Sequence, residues 1–288
     1  MVGAAWGNGV TFLQLIVLAV VQGVTAFLPI GSEAHLLMVP PVTGWSGHGP
    51  SVDLAIHVGM LGAVIAYLWR ESWAMVVGLW YLFRKRRGGP GVRLIGLMIV
   101  GTIPVFGAAY LLKMATGGTG LRSVEVVAWA TLVVGILLYA VDKTCLTVRR
   151  MEHIGAGSAL IIGLSQVLML LPGAGRAGVT MTAARLIGYE RPDAARFSML
   201  LSIPVIVASG VLIGVDPQAA GTLRMGLAAI LAAALSFLAA LAAMAVMMSW
   251  LKRATFAPFA AYRVLLGIFL LIWIYTGWFG GFMPAAMP

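Results

Sequence analysis

Two short segments rich in glycine, proline and polar residues interrupt a chain that is otherwise built of long apolar stretches. One runs from Gln22 to His35, Q-G-V-T-A-F-L-P-I-G-S-E-A-H; the other runs from Leu171 to Thr180, L-P-G-A-G-R-A-G-V-T. The apolar stretches lie at about 10–30, 53–69, 93–113, 124–141, 155–172, 178–188, 196–214, 225–251 and 262–283. Irregular backbone at membrane depth survives only where protein or a wet cavity satisfies its N–H and C=O groups. The two polar segments are therefore expected to build a site, and the rest of the chain to hold them.

Composition supports a membrane setting. Hydrophobic residues make up 61% of the chain and charged residues 10%, against roughly half and a quarter in soluble domains. The expectation is an all-α polytopic membrane protein, a single membrane domain over 1–288. The net charge of +10 would suit nucleic acid, but the basic residues sit in short loops between apolar runs. That pattern sets topology, so no nucleic-acid partner is expected. The single cysteine, Cys145, excludes an internal disulfide and a cysteine-based metal cluster. The N-terminus lacks a basic n-region and a clear cleavage site, so no removed signal peptide is expected.

Loop charges give the orientation. The regions 70–93, 142–153, 185–196 and 252–263 carry fifteen of the nineteen Lys and Arg residues. The loops near 113–124 and 215–224 carry Lys113, Arg122 and Arg224, and Arg176 lies in the second polar segment. The positive-inside rule puts the four basic regions in the cytoplasm. Regions 142–153 and 185–196 then share a side, so 155–188 must enter and return as a re-entrant hairpin. The stretch 178–188 is too short to span, since a span needs about 20 apolar residues. If 10–48 is also a hairpin, it opens outward. Each half, about 1–150 and 151–288, is then a re-entrant hairpin followed by three spanning helices. Three is odd, so the halves are inverted, an architecture that places sites near the midplane. Gln22 before Leu28-Pro29 and Gln166 before Leu171-Pro172 form a weak echo of the repeat.

Arg176 is the most demanding residue. An intramembrane charge is costly and marks a functional site by default. A guanidinium binds phosphate in a bidentate way. Gly173, Gly175 and Gly178 allow close backbone approach, and a helix starting near Gly178 would offer N–H groups to an anion. Thr180 could add a hydroxyl. Alternatively Arg176 pairs with a carbonyl or with Glu33 and only locks the fold. Ser32, Glu33 and His35 form the first polar tip. Ser32 is a candidate phosphate donor or nucleophile and His35 a candidate general acid, while Ser32 as a helix cap is the plain alternative. Asp53 and His57 share one helix face, either as a proton or metal pair or as dipole complementation plus a satisfied histidine. His48 and His153 read as loop residues. The tryptophans at 69, 73 and 80 fit an interfacial belt.

These residues resemble the bacitracin-resistance type of undecaprenyl-diphosphate phosphatase, over most of the chain. The segment S-V-D-L-A-I-H-V-G-M-L-G-A-V-I-A-Y-L-W at 51–69 is similar to the family's F-D-x-A-x-H-x-G-T-L-x-A-V helix, and G-T-I-P at 101–104 also matches. The longest likeness is 159–180, continuing through A-A-R-F-S-M-L-L-S-I-P at 194–204. The resemblance implies paired re-entrant hairpins in an inverted repeat, a bacterial cytoplasmic-membrane location and a polyprenyl (di)phosphate ligand. A homodimer is compatible with it.

The motifs depart from the family selectively. Its first motif is E-G-x-T-E-F-L-P-[VI]-S-S-T-G-H. Gln22 and Ala26 stand in place of its two Glu residues, Gly31 in place of the first Ser, Glu33 in place of Thr and Ala34 in place of Gly, while Ser32 and His35 match. In the second motif, P-G-x-S-R-S-G-x-T, Gly175 and Ala177 replace the Ser residues, and Pro172, Gly173, Arg176, Gly178 and Thr180 match. The groups that recognise phosphate survive, and both carboxylates are gone. Glu33 is the nearby substitute acid. Splitting a diphosphate needs charge neutralisation and usually metal assistance, so Mg²⁺ or Ca²⁺ enters only if the chain hydrolyses; no protein metal site is expected. One expectation is hydrolysis of undecaprenyl diphosphate to the monophosphate with Ser32, His35 and Arg176 acting. The other is a binder or transporter of a polyprenyl phosphate or another anionic lipid that does not cleave it. A purely structural role fits poorly with a retained Arg176.

Overall fold

The computed structural model describes residues 11–45, 49–85, 88–117, 123–145, 147–215 and 226–276. Among these residues there are eleven α-helices and two short 3-10 segments. They are α1 (Phe12–Thr25), α2 (Ser32–Thr43), α3 (Pro50–Tyr67), α4 (Trp69–Phe83), α5 (Pro90–Thr116), α6 (Val124–Thr144), α7 (Ala156–Ser165), α8 (Arg176–Leu186), α9 (Arg191–Val215), α10 (Leu227–Leu251) and α11 (Ala257–Thr276). Six of them, α3, α5, α6, α9, α10 and α11, are long and apolar enough to cross a membrane. The protein is a multi-pass membrane protein. Phe12–Thr25 and Ala156–Leu170 are apolar but shorter.

Local chemistry sets several boundaries. The Thr11 hydroxyl accepts from the Gln14 N–H at 3.2 Å and caps α1. Pro50 and Pro90 open α3 and α5, where a missing N–H costs nothing. The long helices then pack through small residues, since lipid leaves van der Waals contact as the main cohesive force. The alanine-rich α10 is the clearest case. Gly59 of α3 lies directly against Ala233 and Ser236, and the Ser236 hydroxyl donates to the Ile56 carbonyl at 3.2 Å. On the other side of the molecule, a methyl on Gly267 of α11 would stand 2.8 Å from the Leu132 side chain of α6.

One buried polar cluster ties four helices together away from the polar tips. Asp142, at the end of α6, accepts from Nε of Arg185 and from Nε of Arg191, both at 2.8 Å, and from the Phe256 N–H at 3.0 Å. Arg185 is fully buried, and its Nη1 also reaches the Thr147 hydroxyl and the Tyr189 carbonyl. The ends of α6 and α8 and the starts of α9 and α11 are thereby held in one place.

The structure corrects the loop reading at three points. Region 70–93 is not one basic loop: fifteen residues of it and its flank form α4, because W-R-E-S-W-A-M-V-V-G-L-W-Y-L-F is apolar apart from Arg70 and Glu71. Its Trp69, Trp73, Trp80 and Phe83 are exposed, as an interfacial position requires. Arg185 and Arg263, counted as loop charges, are both fully buried. Arg196 lies within α9 and pairs with Glu71. His153 ends a 3-10 turn, Met151–His153. His48, Arg122 and Arg224 lie outside the described residues.

Candidate functional site

The polar segments form the turns of two helix–turn–helix units, α1–α2 and α7–α8. In the first, Gly31 adopts φ 83° and Ser32 starts α2; in the second, Gly175 adopts φ 66° and Arg176 starts α8. Neither helix is capped by a side chain at its N-terminus. A methyl on Gly175 would stand 3.1 Å from Cα of Gly31, so the two turns abut. The N-termini of α2 and α8 thus meet, each contributing free N–H groups and a positive dipole end. Ser32 is the first residue of α2 and not its cap, and its side chain hydrogen-bonds the neighbouring Glu33 carboxylate.

A cavity of about 160 Å³ opens at this junction. The turns contribute Gln22, Thr25, Ala26, Gly31, Ser32, Glu33, Gly175, Arg176 and Ala177 to its lining. Helix α3 adds His57 and Met60, and α9 adds Val205, Ile206 and Ser209. Leu28, Leu36 and Met169 complete an apolar side. The lining is therefore part polar, with Arg176 and Glu33 as its charged members, and part apolar.

Arg176 is half-buried and faces the cavity. Its Nη1 donates to the Ser198 carbonyl at 2.7 Å and its Nη2 to the Ala26 carbonyl at 3.4 Å, and the guanidinium lies 6.0 Å from the Phe27 ring centre. These acceptors are neutral and leave its charge uncompensated by hydrogen-bonded acid. Thr180 does not line the cavity. Its hydroxyl meets the Arg176 carbonyl at 2.8 Å and the Ser198 hydroxyl at 2.7 Å, so it braces the elements that hold Arg176.

A second arginine completes the junction and was missed in the sequence. Arg263 of α11 is fully buried. Its Nε donates to the Thr131 carbonyl at 3.1 Å, and its Nη2 donates to the carbonyls of Gly173 and Ala174 at 2.6 and 2.5 Å. Its Nη1 has no hydrogen-bond partner among the described residues. Gly31, Gly175 and Gly178 make the room for this guanidinium: a methyl on Gly178 would strike Nη1, and one on Gly175 would come within 3.5 Å of it. Gly173 packs directly on the Val127 backbone. Gly173 and Gly178 thus shape the Arg263 seat and do not line the cavity. The available signal was position: Arg263 is the seventh residue of the apolar run 257–276, too deep for a loop charge.

Glu33 is the carboxylate that both guanidinium groups feel. Its Oε2 is buried without a hydrogen-bond partner among the described residues, as is Oε1 of Gln22. Both residues line the cavity. No group of three His, Cys, Asp or Glu fit to hold an ion occurs among the described residues, so any divalent ion here would need water and substrate phosphate oxygens to complete its shell. The described residues alone form no closed cage for a divalent ion.

His35 points elsewhere. Its Nδ1 meets the Gly31 carbonyl at 2.7 Å and its Nε2 meets the Tyr262 hydroxyl at 2.7 Å. The two rings stack with 5.6 Å between centres. His57 is held at Nδ1 by the main-chain carbonyl of Asp53 at 2.7 Å, so the Asp53–His57 contact is not a carboxylate pair.

Comparison with known proteins decides the family. The profile of the family described as bacitracin resistance protein BacA matches residues 15–269. The chain belongs to the BacA family. Undecaprenyl-diphosphatase 1 of Rhodospirillum rubrum is 46% identical over 271 residues, covering 92% of this chain and 96% of the relative. The undecaprenyl-diphosphatase of Jannaschia sp. is 42% identical over 266 residues, covering 92% of this chain and 100% of the relative. That of Maricaulis maris is 42% identical over 268 residues, 91% and 98%. Of the seven positions at which the motif resemblance is broken, Gln22, Ala26, Gly31, Glu33, Gly175 and Ala177 line the cavity and Ala34 does not.

Proposed function

We propose that the protein is an undecaprenyl-diphosphate phosphatase of the bacterial cytoplasmic membrane. It takes the diphosphate of a polyprenyl carrier between the two turns and releases the monophosphate and inorganic phosphate. One observation carries this: Arg176 and two helix N-termini converge on one cavity whose lining, among the described residues, holds a single carboxylate, Glu33, while Arg263 is buried directly behind the turns. The excess positive charge calls for an anion. The apolar lining beside it suits the attached lipid.

The two helix–turn–helix units are the re-entrant hairpins of an inverted repeat in this account, one opening to each face. The packing supports it. Arm α1 of the first unit lies on α10 in the second half, and arm α7 of the second unit lies on α5 in the first half. These pairings exchange under inversion of the two halves.

Roles follow from placement. Arg176 and Ser32 contact phosphate directly, with backbone N–H groups after Gly31 and Gly175. Arg263 adds charge from behind the turns. Glu33 takes the place of the missing acids as the counter-charge in the cavity. Thr180 and His35 are positioning residues: the first braces Arg176, and the second fixes the Gly31 carbonyl at the tip.

The replacement of acids by Gln22 and Ala26 favours a second reading, a polyprenyl-phosphate transporter that does not cleave. Incubating purified protein with undecaprenyl diphosphate, with and without Mg²⁺ or Ca²⁺, separates the two. The phosphatase account expects inorganic phosphate release. No release, together with lipid movement across proteoliposomes, would support transport instead.

A further inference from the structure

Of the histidines among the described residues, only His57 lines the cavity. His35, which the motif resemblance puts in the chemistry, has both ring nitrogens engaged by Gly31 and Tyr262. A main-chain carbonyl can only accept, so Nδ1 of His57 carries the proton it gives to Asp53 O at 2.7 Å. That contact fixes the tautomer and leaves the Nε2 lone pair as the ring's open position. Met60, one turn further along α3, lines the same cavity, so this face of α3 borders the cavity that Ser32 and Arg176 also line.

We propose that His57 is the general base of phosphate release, a proposal that rests on the phosphatase reading. A water in the cavity attacks the terminal phosphorus, and its proton passes to Nε2 of His57. The bond between the terminal phosphorus and the bridging oxygen breaks. The prenyl monophosphate leaves with the electron pair, its charge held by Arg176. The imidazolium then gives its proton to departing phosphate or to solvent, restoring the neutral ring. Glu33 also lines the cavity, and in this account it supplies counter-charge to the arginines and does not take the water's proton.

The charged groups around His57 are few. Asp53 is on its own helix, and Glu33 and Arg176 face the same cavity. The sequences of α1 and α10 contain no titratable side chain, and α9 contains none after Arg196.

The test is His57→Asn, whose amide retains the donor to the Asp53 carbonyl and loses the basic nitrogen. With undecaprenyl diphosphate, turnover is expected to fall a hundredfold or more with KM changed by less than about threefold. A His57→Asn enzyme with the wild-type kcat would overturn the proposal. A second measurement needs no turnover: histidine ethoxycarbonylation by diethyl pyrocarbonate, located by mass spectrometry with and without farnesyl diphosphate. Protection of His57 supports its place beside the phosphates. Unchanged labelling of His57 when farnesyl diphosphate is bound overturns that place, even if the wild-type protein releases no phosphate and the phosphatase reading itself fails.

Discussion

Gly31 and Gly175 meet back to back, each the residue before a helix and each with positive φ, 83° and 66°. Their contact brings the N-termini of α2 and α8 to one point, although the two glycines lie in opposite halves of the chain. Every other feature of the cavity follows from that meeting: the Arg263 seat behind it, and Arg176, Ser32 and Glu33 in front.

Gly175→Ala tests the meeting directly. An alanine there meets both an unfavourable φ and the Cα of Gly31 at 3.1 Å. We expect a loss of stability of about 1–3 kcal/mol, read as a lower midpoint in thermal unfolding in detergent. Binding of a prenyl diphosphate is expected to weaken in parallel. Gly96, where a methyl meets nothing within 4 Å, is the control position for the same substitution.

Arg263→Lys should be nearly as damaging as Arg263→Met. A lysine cannot reproduce the planar fork that reaches the carbonyls of Thr131, Gly173 and Ala174. The Gly173 carbonyl keeps the Thr131 hydroxyl at 3.2 Å, but the Ala174 carbonyl loses its side-chain donor, and a buried carbonyl left without a donor costs about 1–3 kcal/mol. Unfolding midpoints of both variants are expected well below wild type. A wild-type midpoint for Arg263→Lys would mean that charge alone fills the seat.

Asp142→Asn separates folding from chemistry. The carboxylate joins Arg185, Arg191 and the Phe256 N–H, outside the cavity lining. Breaking such a buried pair costs about 3–5 kcal/mol. The folded fraction should fall in a detergent-stability assay, while the protein that remains folded keeps its affinity for prenyl phosphate.

Much of this molecule is written in the hydropathy and charge pattern. The six long apolar helices are legible because lipid demands long apolar runs, and the two turns because glycine, proline and arginine have no ordinary place in them. Helix α4 was hidden because charge counting treated Arg70 to Arg93 as one loop. Arg263 was hidden for the same reason: a basic residue near a helix start looks like an orientation signal. His35 carries the motif position, yet its side-chain direction depends on Tyr262 of α11, a partner 227 residues away. The roles of Gly31, Gly175 and Gly178 are likewise tertiary, since the guanidinium they admit comes from the far end of the chain.

Restoring the family acids should change the chemistry more than the fold. Gln22 and Ala26 both line the cavity, so Gln22→Glu with Ala26→Glu adds two carboxylates beside Glu33 and Oε1 of Gln22 becomes a charged donor. We expect the double variant to release phosphate faster with Mg²⁺ or Ca²⁺ than without. Equal rates in both conditions would show that the added carboxylates do not recruit an ion.

The central claim is that the converging turns hold a lipid diphosphate through Arg176. The direct measurement is the affinity of purified protein for farnesyl diphosphate, by calorimetry, for wild type and for Arg176→Gln. The account predicts a loss of about a hundredfold or more in Arg176→Gln, the equivalent of about 2.7 kcal/mol, in a protein that still unfolds cooperatively. Equal affinity for the two proteins would contradict it.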